Sequence, residues 1–330
     1  MQIMKDQAHS LLSADLLAIL RCTTCRGTLE THDNGYVCRA CEHSYPIEGD
    51  VVRFVPPQNY AGSFGFQWQR YDRTQLDGAA SRESERDLLR KTGFSPENLC
   101  GKLVLDVGCG MGRFAEVATR WGARVVGVDL SAAAEVAARN LADRRFAALQ
   151  ADVFCLPFVS ESFDYIYSIG VLHHTPDCEQ ALKALPQYLK PGGSLAVWLY
   201  SGYNPWYRFS EIYRKLTSRI PPSKLHAFLR VAVPVINSVD GGLRVLPGVG
   251  KPLSAILRHI LPVNRNPNRQ WRVLDTFDWY SPKYQSKHTY EQVFRWFEDC
   301  GLIDLHVGTV PIAVRGRKPG NRYQSSLQEG

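Results

Sequence analysis

The sequence predicts an α/β fold built on a mostly parallel sheet, with a small cysteine-containing module and a long insertion. An apolar strand, a glycine turn, a helix and a second strand follow one another in residues 103–131, and strands continue to alternate with helices as far as residue 200. This alternation is typical of parallel sheets with helical crossovers. A chain of 330 residues with 45% hydrophobic content is long enough for two or three modules.

The first module, residues 1–56, is predicted from its cysteines. Cys22 and Cys25 form one C-x-x-C pair, Cys38 and Cys41 form another, and 12 residues separate the two pairs. Two such turns can present four thiolates to one tetrahedral zinc ion, which is structural because no coordination position stays open. A redox function would need a C-x-x-C at the start of a helix, and these glycine-flanked pairs do not provide one.

Residues 57–101 are predicted to connect this module to the sheet. Their first half is rich in aromatic residues and glycine, and their second half has the spacing of a helix that packs before the first strand. Trp68 is expected either to staple the two modules together or to cover a ligand at the sheet. In the second case Arg70 would contact a carboxylate of that ligand.

The glycine turn after the first strand predicts a nucleoside-binding site. Gly108, Gly110 and Gly112 let the backbone turn sharply and approach a ligand closely. Asp129 ends the second strand, where an acid can accept both hydroxyls of a ribose. A dinucleotide fingerprint would require a third glycine where this chain has Arg113.

With Asp106 before it, the D-x-G-x-G-x-G loop resembles motif I of the class I S-adenosylmethionine (SAM) methyltransferases, and residues 103–200 resemble the ubiquinone/menaquinone-type methyltransferase superfamily. The resemblance implies a Rossmann-like, mostly parallel seven-stranded sheet with a terminal hairpin, in a core module at 102–200. It also implies SAM as the cofactor. The SAM-binding residues it implies are Asp106, Gly108, Cys109, Gly110, Gly112, Asp129, Leu130, Asp152, Val153, Ser168, Gly170, Trp68 and Arg70.

The cysteine module resembles the zinc ribbon of the methyltransferase-activator family. In that family the ribbon docks on a methyltransferase and stabilises it, whereas in some rRNA methyltransferases a different ribbon helps to hold RNA. Residues 1–56 have too few basic residues in any one run to decide between these roles. Metal binding is expected to supply much of the folding free energy of so small a module.

Residues 201–287 are predicted to be a largely helical substrate lid, inserted before a C-terminal helix and hairpin in residues 288–330 that complete the core. The insertion contains 14 Lys or Arg residues against four Asp or Glu, so its net charge is +10 while the whole chain has +7. A positive field at the substrate entrance favours an anionic partner. RNA, a phosphorylated small molecule and an anionic membrane surface all fit this field.

Apolar stretches in the insertion favour a hydrophobic pocket or a membrane-facing cap over an RNA groove. They are interrupted by Pro234, Gly241, Gly242, Pro247 and Pro252. No run approaches the ~20 apolar residues needed to span a bilayer. We therefore expect a cytoplasmic protein without a transmembrane segment.

His173 and His174 follow the predicted fourth strand, where the methyl group should lie. Methyl transfer requires alignment, exclusion of water and, for a hydroxyl acceptor, removal of a proton. In the cyclopropane-forming lipid methyltransferases, a related fold, the position matching His173 faces the active site. This resemblance implies that His173 faces the cleft as base or orienting group and leaves His174 to cap or pack. The alternative is a structural role for both, as hydrogen-bonding groups at a helix start.

These features together predict a SAM-dependent methyltransferase with structural zinc. The predicted acceptor is a small biosynthetic molecule, a sugar or a phosphorylated or lipid-like compound that is anionic or partly apolar. O-methylation is favoured over C- or N-methylation. Methylation of tRNA or rRNA is the alternative, and a non-enzymatic SAM sensor or scaffold is the third hypothesis.

Overall fold

A computed structural model describes residues 12–56, 58–78, 82–203 and 208–320, and the side chains of 208–210 are outside this description. The predicted charge of Arg208 and the two ends of the chain therefore lie outside the described residues. Within them, no helix combines the length and the apolar character required to cross a bilayer.

Eleven strands form one sheet in the order β1-β2-β3-β4-β7-β6-β5-β8-β9-β11-β10. The six strands in the middle of this order, β4-β7-β6-β5-β8-β9, are parallel to one another. Strands β11 and β10 form an antiparallel hairpin that pairs with β9 and ends the sheet. The predicted seven-stranded core with a terminal hairpin is confirmed as the part from β7 to β10. The strands are β1 (Leu29–His32), β2 (Gly35–Cys38), β3 (Ser44–Glu48), β4 (Val51–Arg53), β5 (Leu103–Val107), β6 (Arg124–Asp129), β7 (Phe146–Gln150), β8 (Phe163–Ile169), β9 (Leu189–Trp198), β10 (Ile303–Val307) and β11 (Ala313–Arg317).

Helices pack on both faces of this sheet, as expected when parallel strands are joined by crossovers. Strand β5 reads as a nearly continuous apolar run because both of its faces are covered. The helices are α1 (Ala14–Ile19), α2 (Gly62–Arg70), α3 (Glu83–Thr92), α4 (Pro96–Leu99), α5 (Arg113–Arg120), α6 (Ala133–Asn140), α7 (Cys178–Lys183), α8 (Arg208–Thr217), α9 (Pro222–Arg244), α10 (Gly250–Ile260), α11 (Arg269–Tyr280) and α12 (Tyr290–Asp299).

The cysteine module is continuous with the methyltransferase-like sheet. Its last strand, β4, pairs in parallel with β7, so that Val52 lies opposite Leu149. Arg53 extends from β4 to bind the side chains of Gln150 and Glu135. Apolar residues of the module and of the core belong to one hydrophobic cluster. The module therefore adds its strands to the sheet next to β7, and β7 is the strand that follows the one ending at Asp129.

The insertion is a four-helix unit, α8 to α11, which begins and ends at neighbouring points of the fold. A parallel bridge joins Ser201 to His288, and the backbone of Gly202 donates to His288. Leu229, Phe277 and other buried residues of the unit form a small hydrophobic cluster, which they share with α2 and with Tyr71 after it. The expected interruption by prolines and glycines is wrong for α9, which continues through Pro234, Gly241 and Gly242.

Candidate functional site

A cavity of about 740 Å³ lies at the carboxyl ends of strands β5, β6, β8 and β9. Ligands of open α/β sheets bind at this edge because the loops that follow the strands converge there. The glycine loop forms one wall, α2 covers it, and α11 with its flanking loops closes the opposite side. The volume is in the range of small-molecule and cofactor sites.

The glycine loop needs its glycines for two different reasons. Gly108 has φ +79°, and a Cβ there would lie 2.3 Å from a methyl carbon of Val171. Gly110 has φ +53° and lies beneath Trp68, whose Nε1 would be 3.1 Å from an added Cβ. Both φ values are in the left-handed region that favours glycine. The loop can therefore bring its backbone to the cavity while Trp68 covers it.

Asp129 lies at the end of β6 and its carboxylate lines the cavity. The backbone N–H of Gly110 donates to one oxygen at 2.9 Å, and the backbone and hydroxyl of Ser131 donate to the other. Oδ1 already accepts two hydrogen bonds, whereas Oδ2 has one further lone pair for a ligand hydroxyl. Asp152 also lines the cavity and accepts from the backbone of Phe154. Both predicted acids thus line the same cavity, and their roles toward ribose and adenine stay predictions.

Three predicted cofactor residues lie behind the loop instead of lining the cavity. Asp106 is buried and accepts a hydrogen bond from the Tyr167 hydroxyl at 3.0 Å, and burial raises its pKa to about 8. The Ser168 hydroxyl donates to the backbone of Val107. Gly112 begins α5 with φ +90°. Their positions indicate support of the loop, whereas the cavity is lined by Gly108, Cys109, Gly110, Leu130, Val153 and Gly170.

Helix α2 places its two predicted residues differently. Trp68 lines the cavity, together with Tyr60, Phe64 and Gln67. Arg70 is exposed at the end of the helix and is not among the cavity residues. The cations that line the cavity from the core are Lys91 and Arg113 instead. Sequence reasoning missed them because helical spacing alone does not show which face of α3 meets the glycine loop.

Both histidines are buried, but only His174 lines the cavity. The structure therefore corrects the expectation that His173 faces the cleft. The segment after β8 forms a single 3-10 turn, Leu172–His174, and α7 begins only at Cys178. His173 is fully buried and stacks on Tyr200 at 3.9 Å between ring centroids. Neither of its ring nitrogens has a hydrogen-bond partner among the described residues, and burial lowers its pKa well below the usual value. His174 lines the cavity.

The protonation of His174 follows from its contacts. Its Nδ1 lies 3.0 Å from the backbone oxygen of Tyr284, which only accepts, so Nδ1 carries the hydrogen and Nε2 carries the lone pair. Nε2 has no hydrogen-bond partner among the described residues and lies 4.0 Å from a carboxylate oxygen of Asp278. Burial lowers the pKa of His174, opposed by the Asp278 charge. The imidazole is therefore a neutral proton acceptor at neutral pH.

Helix α11 contributes cavity residues that the sequence interpretation did not single out. Trp271, Asp275 and Asp278 line the cavity at a spacing of four and then three residues, as on one helix face. Tyr200 donates to Asp278 at 2.8 Å. Burial, with the nearby Asp278 charge, raises the pKa of Asp275 to about 7. The acids and tryptophan at this spacing were a signal that sequence reasoning could have used.

The charge around the cavity differs from the expectation of a positive entrance. Its described lining has three cations, Lys91, Arg113 and Lys287, against six acids. The acids are Glu83, Asp87, Asp129, Asp152, Asp275 and Asp278. The excess of cations expected at the substrate entrance is therefore not found among the described lining residues, and the anionic character of the acceptor stays a prediction. The excess of Lys and Arg lies mainly elsewhere on the insertion.

The four predicted zinc ligands lie together. The Sγ atoms of Cys22, Cys25, Cys38 and Cys41 are all within 4.8 Å of one another, and no other described residue joins the group. Zinc at ~2.3 Å from four tetrahedral thiolates requires sulfur separations of about 3.8 Å. The Cys22–Cys41 distance is 3.6 Å and the Cys25–Cys38 distance is 3.4 Å. The Tyr45 hydroxyl lies 3.0 Å from Cys22 Sγ, where it can orient a ligand thiolate.

Comparisons with known proteins match two parts of the chain. A family model described as a methyltransferase domain matches residues 105–197, and a Trm112p-like protein model matches residues 13–50. Ubiquinone biosynthesis O-methyltransferase of Coxiella burnetii is 30% identical over 158 residues, which are 46% of this chain and 68% of that protein. The chain belongs to the class I SAM-dependent methyltransferases.

Other similar proteins match shorter parts of this methyltransferase. Methyltransferase GfsG of Streptomyces halstedii is 39% identical over 104 residues, or 29% of this chain and 37% of that protein. A solved SAM-dependent methyltransferase of Mesorhizobium loti is 32% identical and has a TM-score of 0.31, covering 35% of this chain and 52% of that one. The chain thus spans only about a third to a half of the length of these two proteins.

Proposed function

We propose that this chain transfers a methyl group from SAM to a hydroxyl group of a small molecule bound in the cavity between the glycine loop and α11. The observation that carries the proposal is the position of His174. Its lone-pair nitrogen lies beside Asp278 in the same cavity as Gly110 and Asp129. A proton acceptor and a nucleoside-binding loop thus share one enclosed space.

The residues around the glycine loop fit SAM. Gly108 and Gly110 leave room for a ligand against the backbone, and Asp129 Oδ2 offers one free lone pair to a ribose hydroxyl. Asp152 would lie near the adenine, and Trp68 would cover the loop. When bound, SAM supplies an electrophilic methyl group. The cavity volume of about 740 Å³ leaves room for an acceptor beside it.

His174 is assigned the role of general base. Its Nδ1–H is fixed by the Tyr284 carbonyl, which directs the unprotonated Nε2 toward Asp278. Nε2 is shielded from solvent, so an acceptor hydroxyl would reach it only after a neighbouring side chain moves aside. The hydroxyl would then donate to Nε2, and its proton would pass to the imidazole as the methyl group is received. The Asp278 carboxylate, held by Tyr200, would stabilise the resulting imidazolium. His173 supports this arrangement from behind and is not assigned a chemical role.

The acceptor is proposed to be a neutral or partly apolar small molecule. Trp198, Trp271 and Trp279 line the cavity, and in its described lining as a whole the acids outnumber the cations. A polyanion such as RNA would meet repulsion there. The name of the Coxiella burnetii relative, an O-methyltransferase of ubiquinone biosynthesis, fits a hydroxyl acceptor.

The cysteine module is proposed to have an architectural role. Residues 12–56 contain four Arg residues and six Asp or Glu residues, so their net charge does not favour RNA. Arg26 binds the backbone of Leu156 and Phe158, and Arg53 binds Glu135, so these cations hold the module to the core. This use of arginine supports stabilisation of the sheet edge over nucleic-acid binding.

A label-transfer experiment tests the proposed acceptor class. The protein and tritiated SAM are incubated with RNA, protein and small-molecule or lipid fractions of an extract from the source organism. Label is expected in the small-molecule or lipid fraction, and mass spectrometry would then locate the methyl group on an oxygen. Label in RNA or protein alone would overturn the proposal. SAM binding without label in any fraction would favour the sensor hypothesis.

A further inference from the structure

The outer side of the insertion exposes an unusual number of large apolar side chains. Of the 18 exposed large hydrophobic residues in the described part of the chain, 14 lie between residues 212 and 261. They occupy α8, α9, α10 and the turns that join these helices, which we call the outer face. Its members are Ile212, Leu216, Ile220, Phe228, Val231, Val235, Val239, Val245, Leu246, Val249, Leu253, Ile256, Ile260 and Leu261.

These residues follow helical periodicity and are not scattered. In α9, Phe228, Val231, Val235 and Val239 are separated by three, four and four residues, which places them on one side of the helix. They are 49–67% exposed, whereas Leu229 in the same helix is only 5% exposed. The helix thus has one apolar side in the core and a second apolar side in contact with solvent.

Helix α10 repeats the pattern. Leu253, Ile256 and Ile260 are separated by three and four residues and are 43–54% exposed. The opposite side of α10 is held to α9 by Ser254, which donates to Asp240 at 2.6 Å, and by Arg258. The polar contacts between the helices are therefore inside the unit, and the apolar side chains are outside it.

The exposed charges on the same helices all have one sign. Between residues 211 and 261, six Lys or Arg residues are exposed and neither of the two acids is. Glu211 is partly buried in an ion pair with Lys287, and Asp240 is buried among arginines. The exposed cations are Lys215, Arg219, Lys224, Arg230, Arg244 and Lys251. The exposed apolar side chains of the packed helices α9 and α10 indicate a binding surface, and the sign of the exposed charges selects an anionic partner.

We propose that the outer face docks the protein peripherally on an anionic phospholipid bilayer. Apolar side chains on a helix lying in the interface enter the acyl boundary while Lys and Arg remain at the headgroups. A second copy of this chain is a poor occupant, because two outer faces in contact would bring two sets of six exposed cations together. This inference does not depend on methyl transfer.

Vesicle binding by the full chain tests this inference. The probes are vesicles of phosphatidylcholine alone and of phosphatidylcholine with roughly one third phosphatidylglycerol. We expect binding to the anionic vesicles that weakens with salt, and much weaker binding to phosphatidylcholine alone. Replacing Phe228, Val231 and Val235 together by Gln is expected to weaken binding at least about 100-fold. The double substitution Lys224→Gln, Arg230→Gln is expected to weaken it roughly 30-fold.

A matched control distinguishes the outer face from exposed apolar side chains in general. Leu89 and Val307 are 39% and 54% exposed on other parts of the fold, and their joint replacement by Gln is expected to leave vesicle binding unchanged. Circular dichroism should show that every variant is folded. Failure of the wild type to bind anionic vesicles would overturn the inference, whether sedimentation then shows a dimer or a gel shift shows bound RNA. Equal loss in the control variant would also overturn it.

Discussion

The inner and outer faces of the insertion have opposite chemical character. The inner face, formed mainly by α11, brings Trp271, Asp275 and Asp278 into the cavity, where burial raises the pKa of Asp275. The outer face on α8 to α10 exposes apolar side chains and only cationic charges. The difference teaches that the net charge of a segment does not reveal which surface the charge occupies. A strongly basic lid can still enclose an acidic cavity.

The largest expected effect comes from unfolding the cysteine module, on which both faces of the insertion are expected to depend. The double substitution Cys22→Ser, Cys25→Ser is expected to abolish zinc binding and unfold the cysteine module, because metal binding supplies much of its folding free energy. Since β4 pairs with β7, melting temperature, SAM affinity and vesicle binding should fall together. Metal analysis and calorimetry measure the outcome, and the exposed Cys100→Ser variant is the control. One zinc per chain in the double variant would contradict the site.

The next effect concerns the inner face alone. Asp278→Asn is expected to lower kcat about 100-fold or more, because the imidazolium of His174 loses its carboxylate, while the SAM affinity should change little. Burial lowers the pKa of His174 and Asp278 raises it, so activity is lost as pH falls through a value below 6.5. In the variant this acid limb should move to lower pH. Asp304→Asn, on an exposed strand, is the control. If the acid limb of the pH–activity profile does not move in Asp278→Asn, Asp278 does not stabilise the imidazolium of His174.

A smaller effect is expected at the cofactor side of the cavity, which neither face of the insertion forms. Asp129→Ala should weaken SAM binding by about 1 to 3 kcal/mol, because ribose hydroxyls lose a charged acceptor. Titration calorimetry measures this change, with the exposed Asp143→Ala variant as the reference. An unchanged dissociation constant would refute the assignment of Asp129 to the ribose.

The smallest effect is expected from the outer face on the chemical step. The triple replacement of Phe228, Val231 and Val235 by Gln should leave kcat for a water-soluble acceptor within about twofold of the wild type, because none of these residues lines the cavity. Steady-state kinetics without vesicles measures it. A large loss of kcat in a folded variant would show that the two faces are coupled.

The parts of the fold that depend on local sequence were predictable. The backbone at Gly108 and Gly110 has left-handed φ values that favour glycine, so the glycines themselves predict the turn. The spacing of the four cysteines in the sequence likewise predicts that they form one metal site. The pairing of β4 with β7 was not predictable, because two short strands meet only after the whole sheet has formed. The choice between His173 and His174 was missed for a related reason, since a 3-10 turn replaced the expected helix start.

The acceptor side of the cavity depends on tertiary packing. Trp271 and Asp278 reach it because α11 packs over the core with one particular rotation, and nothing in the local sequence determines that rotation. Which surface of the insertion its Lys and Arg side chains occupy depends in the same way on which sides of the helices pack inward.

The most direct test of the account is methyl transfer by the variant His174→Ala, measured with tritiated SAM and the acceptor identified from the labelled fraction. Because His174 is the only imidazole among the described cavity residues, we predict a kcat reduced about 100- to 10,000-fold with nearly unchanged SAM affinity. The exposed His306→Ala variant should retain full activity. Wild-type kcat in a folded His174→Ala protein would contradict the central claim that this histidine accepts the acceptor's proton.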